Sequence, residues 1–279
     1  MKRTWVQLLL LFVLGISLLT IADLAIAQSL KVRVNRWLEV RQIQGTVSLY
    51  QGQKSQPARN GSRIQAVGEG IQTGAKSSAV LAVDTGIGFI KVAENTNIRV
   101  LQLERLATGG QVTKLQVTGG QARLQVRKFT NPASRLEILS PAGLSAVRGT
   151  EFGVSVQPDG KTGVATLEGK VAAIAQGASV PIQAGFQSLV IPGEAPLPPT
   201  PLREDTRLQL QVLEAVGNNQ AQIAGQVDVV NLVLVNDQPL SLDREGQFDV
   251  RVALPRERRI RAVVRTPLGK QQIYELAVP

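Results

Sequence analysis

Pro141-Ala142-Gly143-Leu144-Ser145-Ala146-Val147-Arg148-Gly149-Thr150-Glu151-Phe152-Gly153-Val154 reads as two short strands separated by a tight turn. It runs on through Gln157-Pro158-Asp159-Gly160-Lys161-Thr162 into Leu167-Glu168-Gly169-Lys170-Val171. Pro158 presets φ and Gly160 accepts a positive one, so Pro158-Asp159-Gly160 is a turn with a physical cause. The stretch carries no nucleophile, general base or metal-ligand set. Apolar runs punctuated every few residues by Gly or Pro predict strands, and the whole chain keeps this texture.

Alternation is plain in Ile43-Gln44-Gly45-Thr46-Val47-Ser48-Leu49 and in Ile98-Arg99-Val100-Leu101-Gln102-Leu103. Ala107-Thr108-Gly109-Gly110 and Thr118-Gly119-Gly120 look like hairpin turns joining three consecutive strands. The order apolar, any residue, Gly, any residue, apolar recurs at Ile43–Val47, Leu167–Val171 and Ile223–Val227. Its unequal spacings exclude a strict solenoid period, and glycine inside a strand marks a bulge, bend or close backbone approach. Hydrophobic residues make up 43% of the chain but aromatics only 4%. The cores are therefore built from small and β-branched side chains.

Pro192-Gly193-Glu194-Ala195-Pro196-Leu197-Pro198-Pro199-Thr200-Pro201 holds five prolines in ten positions. Such a stretch denies itself helix and sheet ladders and reads as a polyproline-like spacer, able to hold two domains up to ~30 Å apart. Beyond it, Thr206 to Val278 reads as about seven strands in roughly 70 residues, the spacing of an immunoglobulin-like sandwich. Within that region the alternating start of Leu208–Val216 favours a strand over a helix.

The amino terminus has the form of a signal peptide. Lys2 and Arg3 precede an apolar core, Val6 to Leu19, and Ala25-Ile26-Ala27 supplies a small-x-small site with cleavage before Gln28. An uncleaved anchor is the alternative, although the apolar run is short of the ~20 residues that span a bilayer. The expected location is periplasmic or secreted, with a mature form that does not span the membrane. Cleavage would lower the formal net charge of +10 by one, to +9. For an exported chain that balance favours an envelope polysaccharide, peptidoglycan or an acidic envelope protein over nucleic acid. Solubility alone is the competing use of such a charge.

These features together resemble the FecR domain, a periplasmic module first known from iron-transport signalling. The resemblance runs from about Val40 to Pro192. It is carried by Gly143, Arg148, Gly149, Thr150, Glu151 and Phe152, with support from Gly70-Ile71-Gln72-Thr73-Gly74, Leu167-Glu168-Gly169 and Ala184-Gly185-Phe186-Gln187. It implies a non-catalytic module outside the inner membrane. Signalling members pass a signal to a cytoplasmic anti-sigma segment. Only a few residues precede the apolar run here, so direct sigma-factor control is not expected. The organisation expected is a signal peptide (1–27), a FecR-like β-sandwich or twisted β-roll (36–192), a Pro-rich linker (193–205) and a small Ig-like sandwich (206–279).

With no Cys and no His, zinc sites of the usual kind and His-dependent triads are excluded, and no cofactor is expected. Asp84, Glu94, Asp159 and Glu168 raise a glycosidase reading, which ranks third because no convergent pair emerges and Trp37 is the lone Trp beyond the leader. The six motif residues read as structural, with the Arg148 guanidinium expected to pin the turn through backbone carbonyls. The candidate anion or partner site is a stripe of arginines. Inward Phe248, Val250 and Val252 leave Arg251 outward, and inward Ile260, Ala262 and Val264 leave Arg259, Arg261 and Arg265 outward. If the two strands pair, the four form one solvent-facing row suited to carboxylate, phosphate or sulfate. Lys31, Arg33 and Arg36 could extend it or form a basic tail. The leading reading is an envelope module that binds or scaffolds an anionic glycan or a protein partner. The alternative is an extracytoplasmic signalling component acting through a separate membrane partner.

Overall fold

The computed structural model describes residues 36–52, 54–84, 86–217 and 219–279. The leader, Lys31 and Arg33 lie outside them. Among the described residues the chain is all-β, and no helix is long and apolar enough to cross a membrane. Residues 36–279 form one compact unit.

The first body contains β1 (Leu38–Gln44), β2 (Val47–Gln51), β3 (Lys54–Pro57), β4 (Arg63–Ile64), β5 (Gly70–Thr73), β6 (Ser78–Val83), β7 (Gly88–Val92), β8 (Asn97–Arg105) and β9 (Gln111–Val126). It continues with β10 (Arg135–Leu139), β11 (Leu144–Val147), β12 (Glu151–Val156), β13 (Thr162–Glu168), β14 (Lys170–Ala175), β15 (Ala178–Gln183), β16 (Phe186–Val190) and β17 (Thr200–Pro201). Their pairing resolves into two sheets. One runs β4-β1-β6-β7-β9-β12-β13-β16-β17. The other runs β3-β2-β5-β8-β9-β10-β11-β14-β15, with β9 and β10 parallel. Between them lies one apolar cluster, to which the first sheet brings Leu81, Leu124 and Phe152 and the second Ile71, Leu115 and Leu136.

The recurrent glycine pattern marks where the chain changes sheet. Gly45 carries β1 into β2, and Gly169 carries β13 into β14. At Gly169, φ is +78° and a Cβ would lie 2.8 Å from the Gly149 carbonyl oxygen, so a side chain is excluded by conformation and by space. Thr118-Gly119-Gly120 is not a hairpin turn. The strand continues through it as β9, whose first half pairs with β8 in one sheet and whose second half pairs with β7 and β12 in the other. Gly120 relieves the steric cost of that bend, with φ at +87° and a Cβ that would stand 2.2 Å from Thr96 Oγ1, and the corner looks in sequence like a turn.

The Pro-rich stretch also departs from expectation. It does not bridge a gap. The Leu197 amide donates to Leu189 O, the Leu202 amide to Gly185 O, and β17 pairs with β16. Proline suits this task, because it can line a sheet edge while offering few donors to another strand.

The remaining strands are β18 (Gln209–Val216), β19 (Gln220–Gln226), β20 (Leu232–Val235), β21 (Gln238–Leu240), β22 (Gln247–Ala253), β23 (Arg259–Arg265) and β24 (Gln271–Ala277). They form sheets ordered β18-β19-β22 and β21-β20-β23-β24, which enclose Ile223, Phe248, Val233, Ile260 and Val264. This is the seven-stranded sandwich that the spacing of apolar runs predicts.

The sandwich rests on the outer face of the first body. The face of β20 and β23 turned away from the sandwich core carries Leu232, Leu234 and Val263, all fully buried. Facing them on β12 and β13 are Gly153, Ser155, Gly163 and Ala165, which are cross-strand neighbours. A Cβ at Gly153 would stand 1.9 Å from the Pro267 carbonyl oxygen, and one at Gly163 would stand 2.3 Å from that of Val230. The two glycines let the sandwich backbone reach the sheet directly. Ser155 Oγ donates to Val230 O (2.5 Å) and Gln121 Nε2 to Pro267 O (2.7 Å). Gln157 Nε2 donates to Val229 O, while its Oε1 accepts from the Leu242 amide. These bonds pair the polar side chains of Gln121, Ser155 and Gln157 at the junction.

Candidate functional site

A groove of about 550 Å³ opens where β6, β7 and β9 of the first body meet β23 and the Thr266–Lys270 turn of the sandwich. Lys76, Lys91, Arg123, Arg261 and Arg265 line it, with Glu94. Strand parity places the first-body cations there. Lys91 alternates with inward Ile90 and Val92, and Arg123 with inward Ala122 and Leu124, so both point to the outer face.

Each contact in the groove has a geometric cause. Glu94 Oε2 accepts the Lys76 amide (2.6 Å) and Oε1 accepts Arg265 Nη2 (2.7 Å), which ties the β6 approach of the first body to β23. This ion pair is almost dry, with side chains 5% and 6% exposed. Arg265 Nε and Nη2 also donate to Gln271 Oε1, whereas Nη1 is buried and meets no acceptor among the described residues. Arg261 pairs with Asp237 (2.7 Å), as does Lys76 (3.2 Å). Arg123 pairs with Glu151 and donates to Leu268 O. Glu94, Asp237 and Glu151 thus partner four of the five cations, and Lys91 has no carboxylate partner among the described residues.

The four arginines expected to share a face do not. β22 pairs with β19 while β23 pairs with β20 and β24, so Arg251 lies on the other sheet, exposed beside Gln222 and Asp249. Arg259, Arg261 and Arg265 keep the expected parity on β23, but their face meets the first body rather than solvent. Arg259 is exposed at the strand start, Arg261 is half-buried on the groove wall and Arg265 is 5% exposed. Arg36 is not part of a basic tail. It is buried, holding Asp84 (2.7 Å), Glu104 O and Val112 O.

Among the motif residues, Phe152 and Thr150 are buried, and Thr150 Oγ1 donates to Lys170 O. Gly143 follows the turn that Ser140 closes, and a Cβ there would meet Ile174 O at 2.5 Å. Gly149 packs on the Lys128 backbone. Arg148 departs from expectation. Its side chain is exposed, with no hydrogen-bond partner for its guanidinium among the described residues; the turn is pinned by the Phe129 amide donating to Arg148 O and by reciprocal backbone bonds between Val126 and Thr150. Glu151 pairs with Arg123. The four carboxylates considered for hydrolysis are dispersed: Asp84 with Arg36, Glu94 with Arg265, Asp159 with Lys161, and Glu168 exposed at a corner. Among the described residues no cluster of three metal-ligating side chains occurs.

A second hollow of about 360 Å³ includes Arg203, Asp205, Arg207 and Asp228. The side-chain hydrogen bonds of Arg207, then its backbone amide, hold Asp205 at about 2, below its ordinary 3.8. A depressed carboxylate stabilises the fold above its unfolded value and loses that contribution as pH falls through the folded one. NMR titration should place the Asp205 midpoint near 2, and Arg207→Ala should return it toward 3.8. An unchanged midpoint in that variant would remove the Arg207 side chain as the cause.

Residues 69–172 match the sequence model of the family described as FecR protein. No curated protein matches the chain. Two structures of a proposed anti-sigma factor from Parabacteroides distasonis ATCC 8503 align over 47% of this chain and 59% of their own length. Their identities are 16% and 15%, and their TM-scores 0.40 and 0.39. The chain thus spans about three fifths of their length. A polysaccharide lyase aligns over 88% of this chain and 40% of its own, at 9% identity and a TM-score of 0.20.

Proposed function

We propose that this chain, which carries a FecR domain at residues 69–172, is an exported, non-catalytic module of the cell envelope that binds an acidic polysaccharide. The groove between its two bodies is the binding site. One observation carries this reading: five cationic side chains, from β7, β9, β23 and the turn before β6, converge on the groove, and three carboxylates, Glu94, Asp237 and Glu151, offset them only in part. Arginine and lysine at a concave surface focus potential toward carboxylate or phosphate groups. The charge of the whole chain favours the same class of partner. A protein partner and a signalling role through a separate membrane component form the second reading, favoured by the FecR match itself.

Retention of the full chain on immobilised polygalacturonate, with neutral dextran as control, tests this. Retention should be specific to the acidic polymer and weaken with salt. Lys76→Glu with Lys91→Glu should weaken it by roughly tenfold or more, at about 1 kcal/mol per surface charge contact. Arg251→Ala, on the far sheet, should leave it unchanged. Equal loss in both variants would show diffuse attraction rather than a groove. No retention, combined with capture of a membrane protein by chemical crosslinking in envelopes, would transfer the function to the second reading.

A further inference from the structure

We propose that the groove holds a subsite for one carboxylate or phosphate group, gripped by Lys91 and Arg123 from the first body and by Arg265 from the sandwich, and that filling it tightens the docking of the two. The inference rests on the groove being the binding site. Lys91 and Arg123 are directly opposed across β7 and β9. Like charges in that position repel. Glu151 offsets Arg123, while Lys91 has no carboxylate partner among the described residues. The sandwich contributes the complementary deficiency. Arg265 is 5% exposed, and its Nη1 is buried without gaining an acceptor. A buried donor left in that condition carries its full desolvation cost.

The three side chains line one groove of about 550 Å³, ample for an anionic group and the sugar that bears it. Glu94 does not fill this role. Its oxygens are engaged by the Lys76 amide and by Arg265 Nη2, so it orients the guanidinium and leaves the other nitrogen free. The remaining cations, Lys76 and Arg261, are committed to Asp237. An anion touching Lys91, Arg123 and Arg265 relieves the cross-strand repulsion and supplies the missing acceptor. Because these cations belong to two bodies, it binds the docked arrangement better than an undocked one and shifts the equilibrium toward docking.

Amide hydrogen exchange of the full chain, read at the Thr266–Lys270 turn and β20, tests the subsite with inorganic phosphate, galacturonate and neutral glucose. With phosphate at about ten times its midpoint, exchange through undocking should slow about tenfold. Galacturonate should act likewise if carboxylates share the subsite, and glucose should do nothing. Lys91 is exposed, so Lys91→Gln should fold normally and lose the protection, and Lys91→Arg should restore it. Unchanged exchange with both anions, or protection that persists in Lys91→Gln, overturns the subsite. If polygalacturonate is retained while neither small anion protects the turn, the subsite is wrong and the glycan reading stands. If phosphate protects the turn without polymer retention, the subsite stands and the glycan reading falls.

Discussion

Gly153→Val is expected to detach the C-terminal sandwich from the first body while leaving both folded. The position lies on the outer face of β12, where a Cβ would stand 1.9 Å from the Pro267 carbonyl oxygen and 2.4 Å from its carbonyl carbon. Backbone cannot rotate away as a side-chain tip can. The whole Pro267–Leu268 turn must lift, and with it go the bonds from Gln121 to Pro267 O and from Arg123 to Leu268 O. Overpacking a tight site costs about 1–3 kcal/mol, and a clash with fixed backbone belongs at the upper end. The introduced isopropyl group would not enter the first core, because the neighbours Phe152 and Val154 supply that face. Limited proteolysis should therefore reveal new cleavage in the Pro192–Asp205 region, and unfolding should separate into two transitions. Gly119→Ala is the control, since nothing lies within 4 Å of a Cβ there. A single unshifted transition in Gly153→Val would show that the two bodies do not meet as described.

Glu94→Ala is expected to cost about 3–5 kcal/mol, the penalty for leaving a buried cation without its partner. Arg265 would retain only Gln271 as a side-chain partner, and the Lys76 amide would lose its acceptor. Replacing both charges, Glu94→Leu with Arg265→Leu, should recover much of the loss, because a desolvated pair adds little over apolar packing. Chemical denaturation of Glu94→Leu, Arg265→Leu and the double variant closes the cycle. A loss below about 1 kcal/mol in Glu94→Ala would match a solvated surface pair and contradict its burial. The two variants act differently. Gly153→Val disrupts the junction by shape, whereas Glu94→Ala leaves the shape and removes its charge balance.

Much of the candidate site is written in the alternation of its strands. Arg259, Arg261 and Arg265 alternate with inward Ile260, Ala262 and Val264, and Lys91 and Arg123 sit between core residues in the same way. Period-two parity names the face of a strand but not what covers it. Arg261 and Arg265 are therefore legible as outward, while their approach to Lys91 and Arg123 is not. Arg251 shares their local pattern and stands elsewhere because β22 joined β19. Strand pairing depends on contacts far along the chain, and equivalent apolar runs leave several partners open. Glu94 draws notice as a carboxylate, but only its position opposite Arg265, 171 residues away, shows that it ties two bodies together.

Local rules acting on the linear chain account for its all-β character, the two bodies rich in short strands and the glycine-marked corners. Those rules are alternation, φ restriction and the need for glycine where a side chain cannot fit. Long-range packing is what makes the Pro-rich stretch cover a sheet edge and lets Gly153 and Gly163 admit a neighbouring backbone. It also turns an apparent solvent-facing arginine row into one wall of a groove. Small residues such as Gly153, Ser155, Gly163 and Ala165 carry no sign of burial in a linear reading, because their role is to leave room. That room acquires meaning only when Leu232, Leu234 and Val263 are brought against it, and complementarity between surfaces distant in the chain is a property of the folded molecule.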